Sequence, residues 1–422
     1  VPTLVNVLAD DSSWQAQPAG QTLLALCSLL YDELAGPRDY RNRRDPQIVR
    51  RNVVSTLENA VAQYPLHKSR AVLVAFLILI NRDNATLKRI LMDPRDRCYT
   101  PVLEILRSSD HGGIIRLILS FLEDRYAPSA ALGVVAKRSD AKFVTHMLER
   151  FSEYTPVALQ NFKDLDQFSW LEQKEQVLAE ATEAGQFGAV KIAMATSVSR
   201  AEKFALVEYL LREGNVGGRR AAAEALAEFN GAEANELNQA ALSDPDAIVR
   251  AHAVRQLRTR HIPGALPTVI EALDSTDEPV RDAARESLSE FNFARYAAAF
   301  ETLDGEAQRS TGVLVKKVDP STTDGVRSEL ESPIRTRRLR GLELVEAMER
   351  VAELETVLSQ LLSGDEDHVV RAEAARVLAA STSATIVADL SEATFDRAVV
   401  VREAAKESLA AIEARRHGSP QE

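Results

Sequence analysis

"DPDAIVRAHAVRQL" occupies residues 244–257, and a near copy, "STDEPVRDAARESL", stands 31 positions later at 275–288. A third copy, "DEDHVVRAEAARVL", spans 365–378, and "VVVREAAKESL" follows at 399–409. Aligned on their arginines, Arg219, Arg250, Arg281, Arg371 and Arg402 are each followed by alanine three places on and by leucine seven places on. Steps of three and four place these side chains on one helical face. Alanine at the middle position lets a neighbouring helix come close, while leucine and the preceding Val249, Val280, Val370 or Val401 fill the contact.

Each copy has a helix start in front of it. Asp244 with Pro245, and Asp277 with Pro279, set a side-chain acceptor and a proline where a first turn wants them. A second apolar segment lies upstream, as in "ALPTVIEAL" at 265–273 and "LETVLSQLL" at 354–362. The unit is a helical pair. A single pair cannot bury its own apolar faces, so pairs must stack. The fold expected is all-α, a right-handed superhelical solenoid of stacked antiparallel helix pairs.

These residues resemble the HEAT-repeat family, in particular the short Ala-rich repeats of bilin-lyase-like HEAT proteins, whose second helix reads as an Asp-containing turn, Val-Arg, then small residues and leucine. "DAIVRAHAVRQL", "DEPVRDAARESL" and "DHVVRAEAARVL" follow that pattern. The resemblance implies a HEAT/ARM-like helical fold used to bind other proteins. Elsewhere the pattern loosens. "DPQIVRRNVVSTL" at 45–57 keeps Arg50, Val53 and Leu57 in register, and "GGIIRLILSFL" at 112–122 keeps Arg116. Accordingly, 1–212 is expected to hold degenerate helical repeats, 213–292 regular ones, 293–335 a degenerate repeat or irregular helical segment, 336–413 regular repeats, and 414–422 a flexible tail. A soft boundary is expected near Gly214 to Gly218.

Bulk composition narrows the function classes. Of 422 residues, 45% are hydrophobic but only 5% aromatic, as suits closely packed Ala, Leu and Val helices. The formal charge of -11 opposes general attraction to nucleic acid or an anionic membrane. Cys27 and Cys98 are the only cysteines, too few for a disulfide framework, which points to a reducing, cytoplasmic setting. "AVLVAFLILI" at 71–80 is half the roughly 20 residues a membrane span requires. The chain opens at Val1 without methionine, which suggests a fragment of a longer protein.

No G-x-S-x-G elbow, phosphate loop, dinucleotide fingerprint or H-E-x-x-H is present, and the seven histidines never fall at i, i+3 or i, i+4. No catalytic residue, cofactor or metal is therefore expected. The recurring arginines Arg50, Arg219, Arg250, Arg281, Arg371 and Arg402 read as a structural ladder between repeats, since a position repeated in every unit is what stacking requires. Five places after the arginine the series runs Glu224, Arg255, Glu286, Arg376, Glu407. That alternation opposes a nucleic-acid rail, which would show one sign.

Two basic stretches stand out as candidate partner contacts: Arg38, Tyr40, Arg41, Arg43 and Arg44 in the connection 35–46, and Arg335, Arg337, Arg338 and Arg340 in "RTRRLR". The reading that follows is a non-enzymatic scaffold gripping another protein or an extended peptide through the inner helix face and loops. Two alternatives remain: bilin-lyase-like attachment or removal of a chromophore on a partner, suggested by the resemblance, and nucleic-acid binding.

Overall fold

The repeated Arg, Ala and Leu positions generate a helix at every copy. The Arg219 helix is Val216–Ala225, the Arg250 helix Ala247–Leu257, the Arg281 helix Glu278–Ser287, the Arg371 helix His368–Leu378 and the Arg402 helix Val399–Gly418. The protein is seen in a computed structural model that describes residues 1–9, 15–36, 45–381 and 383–418. Among these the chain is all-α, with short 3₁₀ turns and no strand. It forms two compact units, Val1–Ala241 and Leu242–Glu422.

In the 242–422 unit the second helices after the Arg250 helix are each paired with a preceding first helix. Ala265–Ala272 precedes the Arg281 helix, Val351–Gly364 the Arg371 helix, and Ala384–Ala393 the Arg402 helix. The middle-position alanines Ala253, Ala284, Ala374 and Ala405 are buried, as are Val249, Val280, Val370 and Val401. Successive second helices lie directly against one another through these small residues. Ser408, also buried, donates from the Arg402 helix to the carbonyl of Ala375 one repeat earlier, at 2.9 Å.

The stretch 293–335 holds a shortened pair, Phe293–Ala299 and Gly305–Val318, followed by the first helix Thr322–Leu330. Its second helix carries Arg309 in the arginine position, with Gly312 three places on and Lys316 seven places on. The next second helix is the Arg338 helix, Arg335–Ala347.

The 1–241 unit builds larger cores from aromatics. Trp170, Phe76, Phe121, Phe143, Phe151 and Phe162 are all inside. "WLEQKEQVL" is not one helix: a 3₁₀ turn at Ser169–Gln173 leads into the short helix Lys174–Leu178, which together bury Trp170, Leu171, Val177 and Leu178.

The two units part at 241/242, not at the glycine run 214–218, and the reason is local packing. A Cβ on Gly217 would sit 2.3 Å from the carbonyl oxygen of Glu183, and one on Gly218 would sit 2.3 Å from Oε1 of Gln186. Those glycines allow the Arg219 helix to approach helix Glu183–Ala195 closely. Buried Gln186 completes the joint, donating to Leu178 O at 2.8 Å and accepting from Asn215 N at 2.8 Å.

Candidate interaction surface

The repeated arginines share one geometry. Nη1 of Arg250 donates to Asp244 O (2.5 Å) and Pro245 O (3.0 Å). Arg281 holds Ser275 O and Thr276 O, both at 2.8 Å, Arg371 holds Asp365 O (2.7 Å) and Glu366 O (3.2 Å), and Arg402 holds Asp396 O (2.8 Å) and Arg397 O (3.2 Å). In every case the acceptors lie six and five residues back, in the turn joining the two helices of the pair. Such turn carbonyls have no ladder partner of their own, and the guanidinium satisfies two at once. Arg219 follows the pattern in part, donating to Gly214 O at 3.0 Å.

The rest of the guanidinium reaches forward to the following repeat. Nη2 of Arg250 meets Asp277 at 2.6 Å, and Arg371 grips Asp396 with two bonds of 2.9 and 3.0 Å. The Arg371 side chain is 3% exposed and Asp396 15%, so this rung is a buried, bidentate ion pair. Arg371 holds the Asp396 carboxyl below its ordinary range. Asp277 meets Arg250 and makes no side-chain capping bond, whereas Asp246 and Asp367 cap their helices, each accepting from two backbone amides. Arg50, in the 1–241 unit, bonds a more distant carbonyl, Leu79 O, at 2.6 Å.

The "RTRRLR" arginines are engaged in the same kind of contact. Arg338 is itself a rung, bonded to Ser332 O (3.0 Å) and Pro333 O (3.2 Å) and paired with Asp365 at 2.7 Å. Arg337 and Arg340 converge on Glu329, a buried carboxylate, at 2.5 and 2.7 Å. The Arg337 hydrogen bond, then Arg340, holds the Glu329 carboxyl below its ordinary range against the opposing effect of burial. Arg335 pairs with Asp367 at 2.7 Å. Arg335 and Arg337 still leave 49% and 44% of their side chains exposed. Arg38, Tyr40, Arg41, Arg43 and Arg44, like Trp14, lie outside the described residues.

Five places after their rung arginines, Arg255 and Glu286 pair between neighbouring second helices at 2.7 Å, and in the other unit Glu224, five after Arg219, pairs with Lys191 of helix Glu183–Ala195 at 2.8 Å. Beside the Arg255–Glu286 pair opens a cavity of about 890 Å³, lined by Arg258, Ile262, Leu266 and Pro267 among others. Leu266 is 44% exposed there. Arg258 pairs with Glu290 at 2.5 Å. The cavity therefore has an apolar wall between charges of both signs.

Several polar contacts have no repeating signature in the sequence. Arg138, 3% exposed, closes the end of Tyr99–Ser108 by donating to Leu106 O and Ser109 O, and grips Asp140 bidentately. Buried Asn161 donates to Leu122 O and Asp124 O beyond helix Gly112–Phe121. Its position beside Phe162 in an apolar helix was the available clue, since a buried amide must find partners. His111 caps helix Gly112–Phe121: Nδ1 accepts from Gly113 N at 3.0 Å, so Nε2 carries the proton and donates to Ser28 Oγ at 3.0 Å. Burial lowers its pKa. Among the described residues no group of three or more His, Cys, Asp or Glu side chains could hold a metal ion, and no helix is long and apolar enough to cross a membrane.

The family model for HEAT repeats matches residues 204–303. Among solved structures, human deoxyhypusine hydroxylase in complex with glycerol is similar at 17% identity and a TM-score of 0.22, over 71% of this chain and 96% of that one. An engineered protein is similar at 16% identity and a TM-score of 0.30, over 98% of each chain. No curated protein matches the sequence. With the arginine rungs and buried alanines at each copy, residues 204–303 of this chain are HEAT repeats.

Proposed function

We propose that this chain is a non-enzymatic scaffold that binds another protein, or an extended peptide, on the exposed sides of its second helices. The observation that carries the reading is the cavity beside Arg255 and Glu286. An apolar wall with exposed Leu266, flanked by charges of both signs, suits a polypeptide that offers an apolar anchor and its own charged pattern. A nucleic-acid backbone would call for cations alone. The rung arginines already bond carbonyls and, at several repeats, carboxylates within the chain, which supports a structural role for them.

Exposed Arg335 and Arg337 are proposed as rim contacts, and the connection bearing Arg38, Tyr40, Arg41, Arg43 and Arg44 as a second docking element. Two free, buried thiols, Cys27 and Cys98, support a cytoplasmic setting.

Affinity capture from source lysate with mass-spectrometric identification tests the proposal, comparing the parent with Arg255→Glu/Leu266→Asp and with a variant in which the four loop arginines become Glu. A saturable protein partner held by the parent and lost by the cavity variant supports the reading. Loss only in the loop variant moves the contact to the loop. Capture of nucleic acid or chromophore alone, or turnover traced to the purified chain, overturns it.

A further inference from the structure

We infer that the 242–422 unit bends at one joint, between the Arg281 helix and the Arg309 helix (Gly305–Val318). At three other joints in this unit the rung arginine crosses to a carboxylate of the next repeat, Arg250 to Asp277, Arg338 to Asp365 and Arg371 to Asp396; Arg309 bonds Gly305 O and makes no such pair among the described residues, but its joint lies within one apolar cluster. Arg281 has its two turn carbonyls but, among the described residues, no carboxylate within ion-pair distance. The chain geometry accounts for this. Asp277 and Asp365 stand 27 residues after their arginines; the residue 27 after Arg281 is Gln308, whose amide donates instead to Phe300 O at 2.8 Å.

The apolar packing divides at the same place. One buried cluster runs from Ala251 to Leu288 and adds Val318, a second runs from Tyr296 to Ile412, and Phe291 packs against both. Of the successive second helices in this unit, the Arg281 and Arg309 helices pack together least. Their contact is one-sided. At the far end of the Arg309 helix, Arg285 donates to Lys317 O at 3.2 Å, and Lys317 pairs with Asp274 at 2.6 Å. Among the described residues Arg281 itself makes no ion pair across the joint, and the Lys317–Asp274 pair is the tie beside it.

The joint is therefore held by Phe291, Val318 and the Lys317–Asp274 pair, with no rung at Arg281. Bending here is opposed only by the exposed Lys317–Asp274 pair, whereas bending at the Arg371 joint must break a buried bidentate one. Motion concentrates where it costs least.

The full chain tests this directly, because Cys27 and Cys98 are buried with thiols pushed up to about 11 and do not take label. Spin labels on Asp282→Cys and Ser310→Cys span the joint, and labels on Arg376→Cys and Glu407→Cys span the intact Arg371 rung. The distance distribution across the joint is expected to be about twice as wide as the control; equal widths overturn the inference. A second measurement needs no substitution. The amides of Ser289 and Phe291, bonded to Glu286 O and Leu288 O, have counterparts in Ala379 and Ser381, bonded to Arg376 O and Leu378 O. Hydrogen exchange at the joint is expected to be about tenfold faster than at the counterparts, and equal protection overturns the hinge.

Discussion

Replacing Asp396 with alanine is the sharpest test of the arginine ladder. The substitution leaves the Arg371 guanidinium, 3% exposed, with its turn carbonyls but without the carboxylate that takes two of its donors. Removing one partner of a buried ion pair costs about 3–5 kcal/mol, because the remaining charge stays desolvated. Asp396 is 15% exposed, so water can reach part of the vacated space, and the lower end, about 3 kcal/mol or roughly 150-fold, is expected. Glu286→Ala removes a pair of similar reach whose side chains are 38% and 67% exposed, and there about 0–1 kcal/mol is expected. A global melt would blend the two compact units. Native-state hydrogen exchange is the assay, read on the amides of His368–Leu378 for one variant and Glu278–Ser287 for the other. If Asp396→Ala raises local opening no more than Glu286→Ala does, the rungs are incidental surface pairs and the ladder argument fails.

Gly217→Ala forces a Cβ to within 2.3 Å of the Glu183 carbonyl, which belongs to rigid helix backbone, so a loss of about 1–3 kcal/mol is expected in urea unfolding of the 1–241 unit followed by Trp170 fluorescence. Acid acts on the two units at different pH. His111 has a folded pKa below its ordinary value, so the unfolded state protonates first and the 1–241 unit loses stability as pH falls below about 6.5. Glu329 and Asp396 are depressed carboxylates, so their contribution to the 242–422 unit is intact above about pH 4 and lost as pH falls through their folded values; exchange protection at Gly113 should therefore fall before that of the Arg371 helix. Cys27 and Cys98 should react with a thiol reagent at pH 8 only after denaturant is added, and fast labelling of the native chain would contradict their burial.

The helical pairs were legible because their information is local and repeated: Arg, Ala and Leu at steps of three and four define a face, and five copies agree on which face is inside. The alanines confirm it, since Ala284, Ala374 and Ala405 have no accessible surface. Contacts that join distant positions once only carry no such redundancy. Glu329 draws in Arg337 and Arg340 across a helix connection, although Glu343 lies nearer along the same helix. The glycines 214–218 looked like punctuation, yet Gly217 and Gly218 mark a close helix approach, because a missing side chain serves a turn and a tight contact equally well. The boundary between the compact units falls at 241/242, beside "LSDPD", which reads like every other repeat turn.

The weak stretch 293–335 shows what the repeat signal measures. There the second helix has glycine and lysine where the five copies have alanine and leucine, and the step from Arg281 to Arg309 is 28 residues. A helical pair forms all the same, because helix formation needs only local periodicity and a core to dock on. The shortened step takes away something else: the carboxylate that would meet Arg281. Loss of the motif therefore marks loss of the coupling between repeats rather than loss of the repeat, which is why the place where the sequence pattern fades is also the place where this unit is least tied to itself.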